Sequence, residues 1–197
     1  MSQRVVEFFF DVGSPTSYLA WTQLGALCEQ AHAELVYRPM LLGAVFQATG
    51  NASPVTVPAK GRYMFHDMTR HARRYGVPFR MNPHFPINTL VLMRGATGVQ
   101  LHAPQRLQAY LGGVFAALWV DALDLNDAEL TRRTWQTAGF DPAQVAAWAD
   151  DPATKAALRA TTDEAVARGV FGAPTMFVGD QMHFGQDRLD FVREALA

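Results

Sequence analysis

The spacing of apolar residues changes several times along the chain, and each change marks an element. Val5 to Phe10 is an almost unbroken apolar run, interrupted only by Glu7, which predicts a strand buried on both faces of a mostly parallel sheet. Gly13 permits a tight turn after it. Ser14-Pro15 reads as the N-cap and first residue of a helix, because serine accepts a bond from a free helix N–H and the proline ring suits that position. Tyr18, Trp21, Leu24 and Cys28 then recur on one helical face. Glu34 to Pro39 reads as a second strand, so the chain opens as β-α-β with parallel strands and a right-handed crossover.

From Met40 to about Arg168 the pattern is helical almost throughout. Helices are predicted over Leu41–Thr49, Lys60–Tyr75, Asn88–Gly98, Pro104–Val120, Asp127–Ala138, Asp141–Asp150 and Pro152–Arg168, several of them opened by Asp or Pro. Gly76 closes the second of these, and Phe79 to Pro86 reads as an irregular connection. Strand signals return at Met176–Val178 and Gln181–Phe184, joined by Gly179-Asp180 as a hairpin. A final helix opens at Gly185-Gln186-Asp187 and carries Leu189, Val192 and Leu196 at helical spacing. The prediction is an α/β chain in which residues 1–40 and 169–197 share one sheet and residues 41–168 form a helical insertion.

Composition narrows the function. A net charge of −1 over 197 residues gives no reason to expect nucleic acid or an anionic membrane as partner. The one cysteine, Cys28, rules out an intramolecular disulfide and reads as a core thiol. The six histidines are scattered, and His66 and His71 are five apart, the wrong spacing for two ligands on one helix face, so no metal site is predicted. All but two of the seventeen basic residues are arginines, which makes Lys60 conspicuous. Met1-Ser2-Gln3-Arg4 leads straight into the first strand with no long apolar segment ahead of it, so the expectation is a cytoplasmic protein without a membrane span.

The strand-to-helix junction carries the candidate chemistry. Free N–H groups and the positive end of the helix dipole meet there, and anions collect at such a point. A serine hydroxyl has no accessible thiolate-like form, so Ser14 cannot run disulfide exchange, but it can donate to a bound thiolate. A hydrogen bond to a charged group is worth about 1.5–3 kcal/mol. If most of that favours thiolate over thiol, a thiol with a pKa near ~8.5 falls to roughly 6.5–7.5. Judged by spacing alone, Ser14 reads as an ordinary helix cap.

The segment Asp11 to Ser17 resembles the DsbA-like branch of the thioredoxin superfamily, where this junction holds Cys-x-x-Cys. It is more closely similar to the kappa-class glutathione transferases and 2-hydroxychromene-2-carboxylate isomerases, whose motif is Asp-x-x-Ser-Pro-x-Ser. Gly50-Asn51-x-x-Pro54 with Lys60-Gly61, Ala173-Pro174, Gly185-Gln186-Asp187-Arg188 and Phe85 to Thr89 extend the resemblance over most of the chain. The resemblance implies a thioredoxin-like fold interrupted by the helical insertion, with glutathione as cofactor and its thiolate stabilised by Ser14. It implies that Asn51 and Lys60 hold the glycine carboxylate and that Pro174 is cis, so that the Ala173 backbone pairs with the cysteinyl part. It also implies that Gln186 and Asp187 take the γ-glutamyl end. The residues themselves leave plainer alternatives open: a loop asparagine, a solvated lysine, a common Ala-Pro turn and an N-cap aspartate.

For activity, the resemblance implies conversion of 2-hydroxychromene-2-carboxylate to trans-o-hydroxybenzylidenepyruvate, through reversible thiolate addition that frees a bond to rotate. A kappa-type transferase and a non-catalytic glutathione-binding module are the alternatives. Ser14 and Ser17, standing where both cysteines would be, argue against a dithiol oxidoreductase. An aromatic acid needs apolar walls and a cation, for which Tyr63, Phe85, Pro86, Arg62 and Arg80 are candidates. A homodimer is implied by analogy.

Overall fold

Alternation along the first strand sets the layering of the molecule. A computed structural model of the protein describes residues 4–197; Met1, Ser2 and Gln3 of the predicted lead-in to the strand lie outside them. Four strands, β1 (Val5–Phe10), β2 (Glu34–Pro39), β3 (Thr175–Val178) and β4 (Gln181–Phe184), form one sheet in the order β2-β1-β3-β4. β1 runs parallel to β2, from Val5 opposite Glu34 to Phe10 opposite Pro39, and antiparallel to β3. The predicted crossover is α1 (Pro15–Gln30), and Gly179 supplies the positive φ of the β3–β4 turn.

Val6, Phe8 and Phe10 share a core with Leu19 and Leu24 of α1 and with Phe115, whereas Phe9 belongs to a second cluster with Phe177, Met40, Val45 and Ala165. All four of these β1 residues are fully buried, and each such phenylalanine contributes about 1.5–3 kcal/mol through removal from water. Glu7, the break in the apolar run, is paired: Arg168 lies at 2.8 Å and Arg38 at 3.8 Å.

Between β2 and β3 come α2 (Leu42–Thr49), α3 (Pro58–Tyr75), α4 (Leu90–His102), α5 (Leu107–Trp119), α6 (Ala128–Thr137), α7 (Pro142–Asp150) and α8 (Pro152–Ala167). Asp127, Asp141 and Asp151 cap α6, α7 and α8 by accepting from first-turn N–H groups. Several boundaries differ from the prediction. α3 starts at Pro58, because proline suits the first helical position. The segment predicted as one helix from Pro104 divides into a 3-10 turn (Pro104–Arg106) and α5. α4 runs through Gly98 to His102, because this glycine does not end the helix: a Cβ there would stand 2.7 Å from the Cβ of Trp148 on α7. The C-terminal helix also departs, opening with a 3-10 turn (Gln186–Arg188) before α9 (Leu189–Ala195), and no side chain caps it. No described helix is long and apolar enough to cross a membrane.

Aromatic side chains help tie the insertion to the strand-helix junction. Trp119 Nε1 donates to the Val12 carbonyl at 2.8 Å, and Tyr18 Oη donates to the Pro78 carbonyl at 2.6 Å. The inserted helices therefore share a core with the sheet and also hold the loop that presents Ser14.

Two helical glycines should respond oppositely to alanine. Gly25, in α1, has nothing within 4 Å of an added Cβ, so Gly25→Ala is expected to stabilise by about 0.5–1 kcal/mol. Gly95, in α4, would bring a Cβ to 2.2 Å from Tyr110 Oη, so Gly95→Ala is expected to cost about 2 kcal/mol through overpacking. Urea denaturation of the pair checks both signs.

Candidate active site

Ser14 caps α1 as its sequence position predicts: its Oγ accepts from the Ser17 N–H at 3.1 Å, and the side chain is only 4% exposed. The same hydroxyl donates to the Ala173 carbonyl at 3.0 Å. Thr16 Oγ1 lies 3.0 Å from that carbonyl and 2.8 Å from Ser14 Oγ, so its one proton can go to either. The Ala173–Pro174 peptide is cis, as the resemblance implies, so the segment before β3 faces the start of α1. Among the described residues the Ala173 N–H has no acceptor, which leaves a backbone donor beside Ser14.

Beneath this point lies Asp11, a buried carboxylate at 2% exposure. It accepts from Gly13 N at 2.9 Å, Leu42 N at 2.9 Å and Thr89 Oγ1 at 3.0 Å, joining the β1–α1 turn, the start of α2 and the approach to α4. Gly13 is needed for that approach, because a Cβ would stand 2.6 Å from Thr89 Cγ2. Burial raises the Asp11 carboxyl above its ordinary 3.8, while the three donors oppose the rise.

Ser14 opens onto a cavity of about 620 Å³, within the size range of small-molecule sites (about 300–1,000 Å³). One wall is apolar, built from Tyr63, Met64 and Met68 of α3 and from Phe85, Pro86 and Ile87, the Phe85–Pro86 peptide also being cis. The stretch Phe85 to Thr89, to which the sequence assigned no chemistry, thus supplies part of the wall and the Thr89 hydroxyl on Asp11. Asn51, Phe171, Gln186 and Asp187 are also among the lining residues.

The predicted ligand-holding residues are brought together unevenly. Ala173, Asn51, Gln186 and Asp187 all line the cavity, and Pro174 sets the cis turn behind Ala173. Asn51 already donates one amide N–H to the Phe171 carbonyl at 2.7 Å, leaving its second free for a ligand. Asp187 pairs with Arg188 at 2.6 Å. Gly185 takes φ +102°, where a Cβ would also meet Asp187 Oδ1 at 2.5 Å, so this turn requires glycine. Lys60 is exposed and is not part of the lining, but it precedes Tyr63, Met64 and Asp67 by three, four and seven residues and therefore shares their face of α3 at the rim. Arg62 and Arg80, suggested for a substrate carboxylate, do not line the cavity. The charged lining residues are Asp11, Asp67 and Asp187.

Sequence reasoning missed Asp11, Thr16 and Asp67. Asp11 was legible only as a motif letter, since its three donors come from separate segments. Asp67 was legible as the next position on the Lys60 and Tyr63 face.

Cys28 is buried, and its surroundings push the thiol up to about 11, so it stays protonated at neutral pH and plays no part at the junction. Ser17, at the place of the second cysteine, is fully buried, and its Oγ has no hydrogen-bond partner.

The chain is similar to known proteins over nearly its whole length. A model of the DSBA-like thioredoxin domain matches residues 5–197, and the chain belongs to that family. Within it, the 2-hydroxychromene-2-carboxylate isomerase of Sphingobium xenophagum is 30% identical over 195 residues, covering 98% of each chain. Glutathione S-transferase kappa 1 of Rattus norvegicus is 29% identical over 96% of this chain and 89% of its own. A solved 2-hydroxychromene-2-carboxylate isomerase is 30% identical and superposes with a TM-score of 0.87 over 98% of this chain and 94% of its own. The likeness to these two groups, read from Asp11 to Ser17, therefore holds over nearly the whole length.

Two measurements test the buried polar groups. Ser17→Ala removes an unsatisfied hydroxyl but keeps the N–H that Ser14 accepts, and is expected to stabilise by about 1 kcal/mol in thermal denaturation. Asp11, with a raised folded pKa, holds its proton to higher pH than the unfolded chain does. Stability is therefore present at low pH and lost as pH rises from about 4 toward the folded value. Relative to Asp11→Asn, the wild type should lose unfolding free energy across that window in urea titrations at stepped pH.

Proposed function

We propose that the protein is a glutathione-dependent isomerase acting on 2-hydroxychromene-2-carboxylate or a related intermediate of aromatic degradation. The observation that carries this reading is the Ser14 hydroxyl, set at the head of α1 beside the Ala173 backbone and opening onto an apolar-walled cavity. When bound, glutathione supplies the nucleophilic sulfur. Ser14 donates its proton toward that sulfur, and the positive end of α1 adds to the same sense. The free Ala173 N–H offers a short strand-like pairing to an extended peptide. The remaining N–H of Asn51, together with Lys60 swung in from the rim, holds the glycine carboxylate. Gln186 and Asp187 receive the γ-glutamyl end, Asp187 as partner for its ammonium.

The wall formed by Tyr63, Met64, Phe85 and Pro86 takes the aromatic ring of the substrate and excludes water around the sulfur. The same reading makes the protein a cytoplasmic homodimer, which sedimentation can check. A kappa-type transferase is the second reading, favoured by the 29% identity with glutathione S-transferase kappa 1 over 96% of this chain. Product analysis separates the two, since an isomerase regenerates glutathione at every turnover.

Ser14→Ala is expected to raise the thiol pKa of bound glutathione by about one to two units and to lower turnover about tenfold or more. Ultraviolet titration of the bound thiol and steady-state rates check the two effects. If calorimetry finds no uptake of glutathione by the wild type, the proposal fails.

A further inference from the structure

Thr16 occupies the second helical position of α1, between the two serines, where the motif leaves the residue type open. Its hydroxyl, that of Ser14 and the Ala173 carbonyl form a triangle with edges of 2.8, 3.0 and 3.0 Å. Two protons serve these three edges, and the carbonyl only accepts. Ser14 Oγ has one proton and two lone pairs, and the Ser17 N–H fills one lone pair at 3.1 Å. The shortest edge, 2.8 Å between Thr16 Oγ1 and Ser14 Oγ, can be donated from either side; donated by Thr16, it fills the other lone pair.

When both lone pairs of Ser14 are filled, the hydroxyl can act only as a donor, and its proton is confined to the Ala173 carbonyl or to a group entering the cavity. Accepting two hydrogen bonds also polarises the O–H and makes it a stronger donor. Thr16 lines the cavity at the same place, so both hydroxyls lie at the surface a ligand meets. From this geometry we infer that Thr16 is a positioning residue for Ser14: it donates into the free lone pair of Ser14 Oγ and directs the Ser14 proton toward the sulfur of a bound thiol. The inference rests on the proposed glutathione reading and adds to it a residue that the motif itself does not specify.

Thr16→Val keeps the branched shape and removes only the hydroxyl, while Thr16→Ser restores a hydroxyl on a smaller side chain. The test is ultraviolet titration of the thiol of bound glutathione in wild type, Thr16→Val, Thr16→Ser, Ser14→Ala and the Ser14→Ala/Thr16→Val double variant, with binding checked by calorimetry. The expected result is a rise of about half to one pKa unit in Thr16→Val, a return to the wild-type value in Thr16→Ser, and no further rise in the double variant beyond Ser14→Ala. A wild-type value in Thr16→Val, with Ser14→Ala still shifted, overturns the role of Thr16 and leaves the functional reading standing. Additive shifts in the double variant also overturn it, because Thr16 then acts on the sulfur directly. Absence of glutathione binding, or an unshifted thiol in Ser14→Ala, removes the functional reading and the role of Thr16 with it.

Discussion

The contact between Ser14 Oγ and the Ala173 carbonyl joins residues 159 apart, and the chemistry of the site depends on it. It holds the head of α1 against the cis turn before β3, so that a side-chain donor, a backbone N–H and a helix N-terminus converge on one small volume. Each is weak alone in water. Together, at the mouth of a partly enclosed cavity, they favour a negative charge at that point, because the hydrogen bonds are already oriented and need no rearrangement when the charge forms.

The charges around the cavity bear on how the proposed thiolate would be held. The charged lining residues are all carboxylates, so in the proposed reading a thiolate would be stabilised by hydroxyl and backbone donors at the α1 end and not by an ammonium or guanidinium of the lining. Of the three carboxylates, Asp11 is the deepest, and its three donors spread its charge into the scaffold. This would suit the proposed isomerase, in which the site holds and releases the same sulfur. A hydrogen bond of a few kcal/mol lowers a thiol pKa to near neutrality and leaves the thiolate nucleophilic, whereas a close cation stabilises it further at the expense of nucleophilicity.

The same fold frame that carries redox cysteines in other thioredoxin-like proteins has here lost both thiols, and the one remaining cysteine is buried in the α1 core with its thiol held protonated. The helical insertion takes over part of the work. Trp119 and Tyr18 fix the loop at the head of α1, while α3 and the Phe85–Ile87 segment build the apolar wall. The sheet half thus supplies the donors at the head of α1, and the insertion supplies the apolar wall.

The order of elements, the parallel β1–β2 pair, the closing hairpin and the capping role of Ser14 were all legible in the sequence, because each depends on local spacing and on the intrinsic preferences of Ser, Pro, Gly and β-branched residues. Gly98 misled for a physical reason: in isolation a glycine ends a helix, but here it makes room for Trp148 inside one. The partners of Asp11, the triangle of Thr16 with Ser14 and Ala173, and the exclusion of Lys60, Arg62 and Arg80 from the lining were settled by tertiary structure alone. These features depend on distances between segments far apart in the chain, and periodicity along one segment carries no information about which others it will meet.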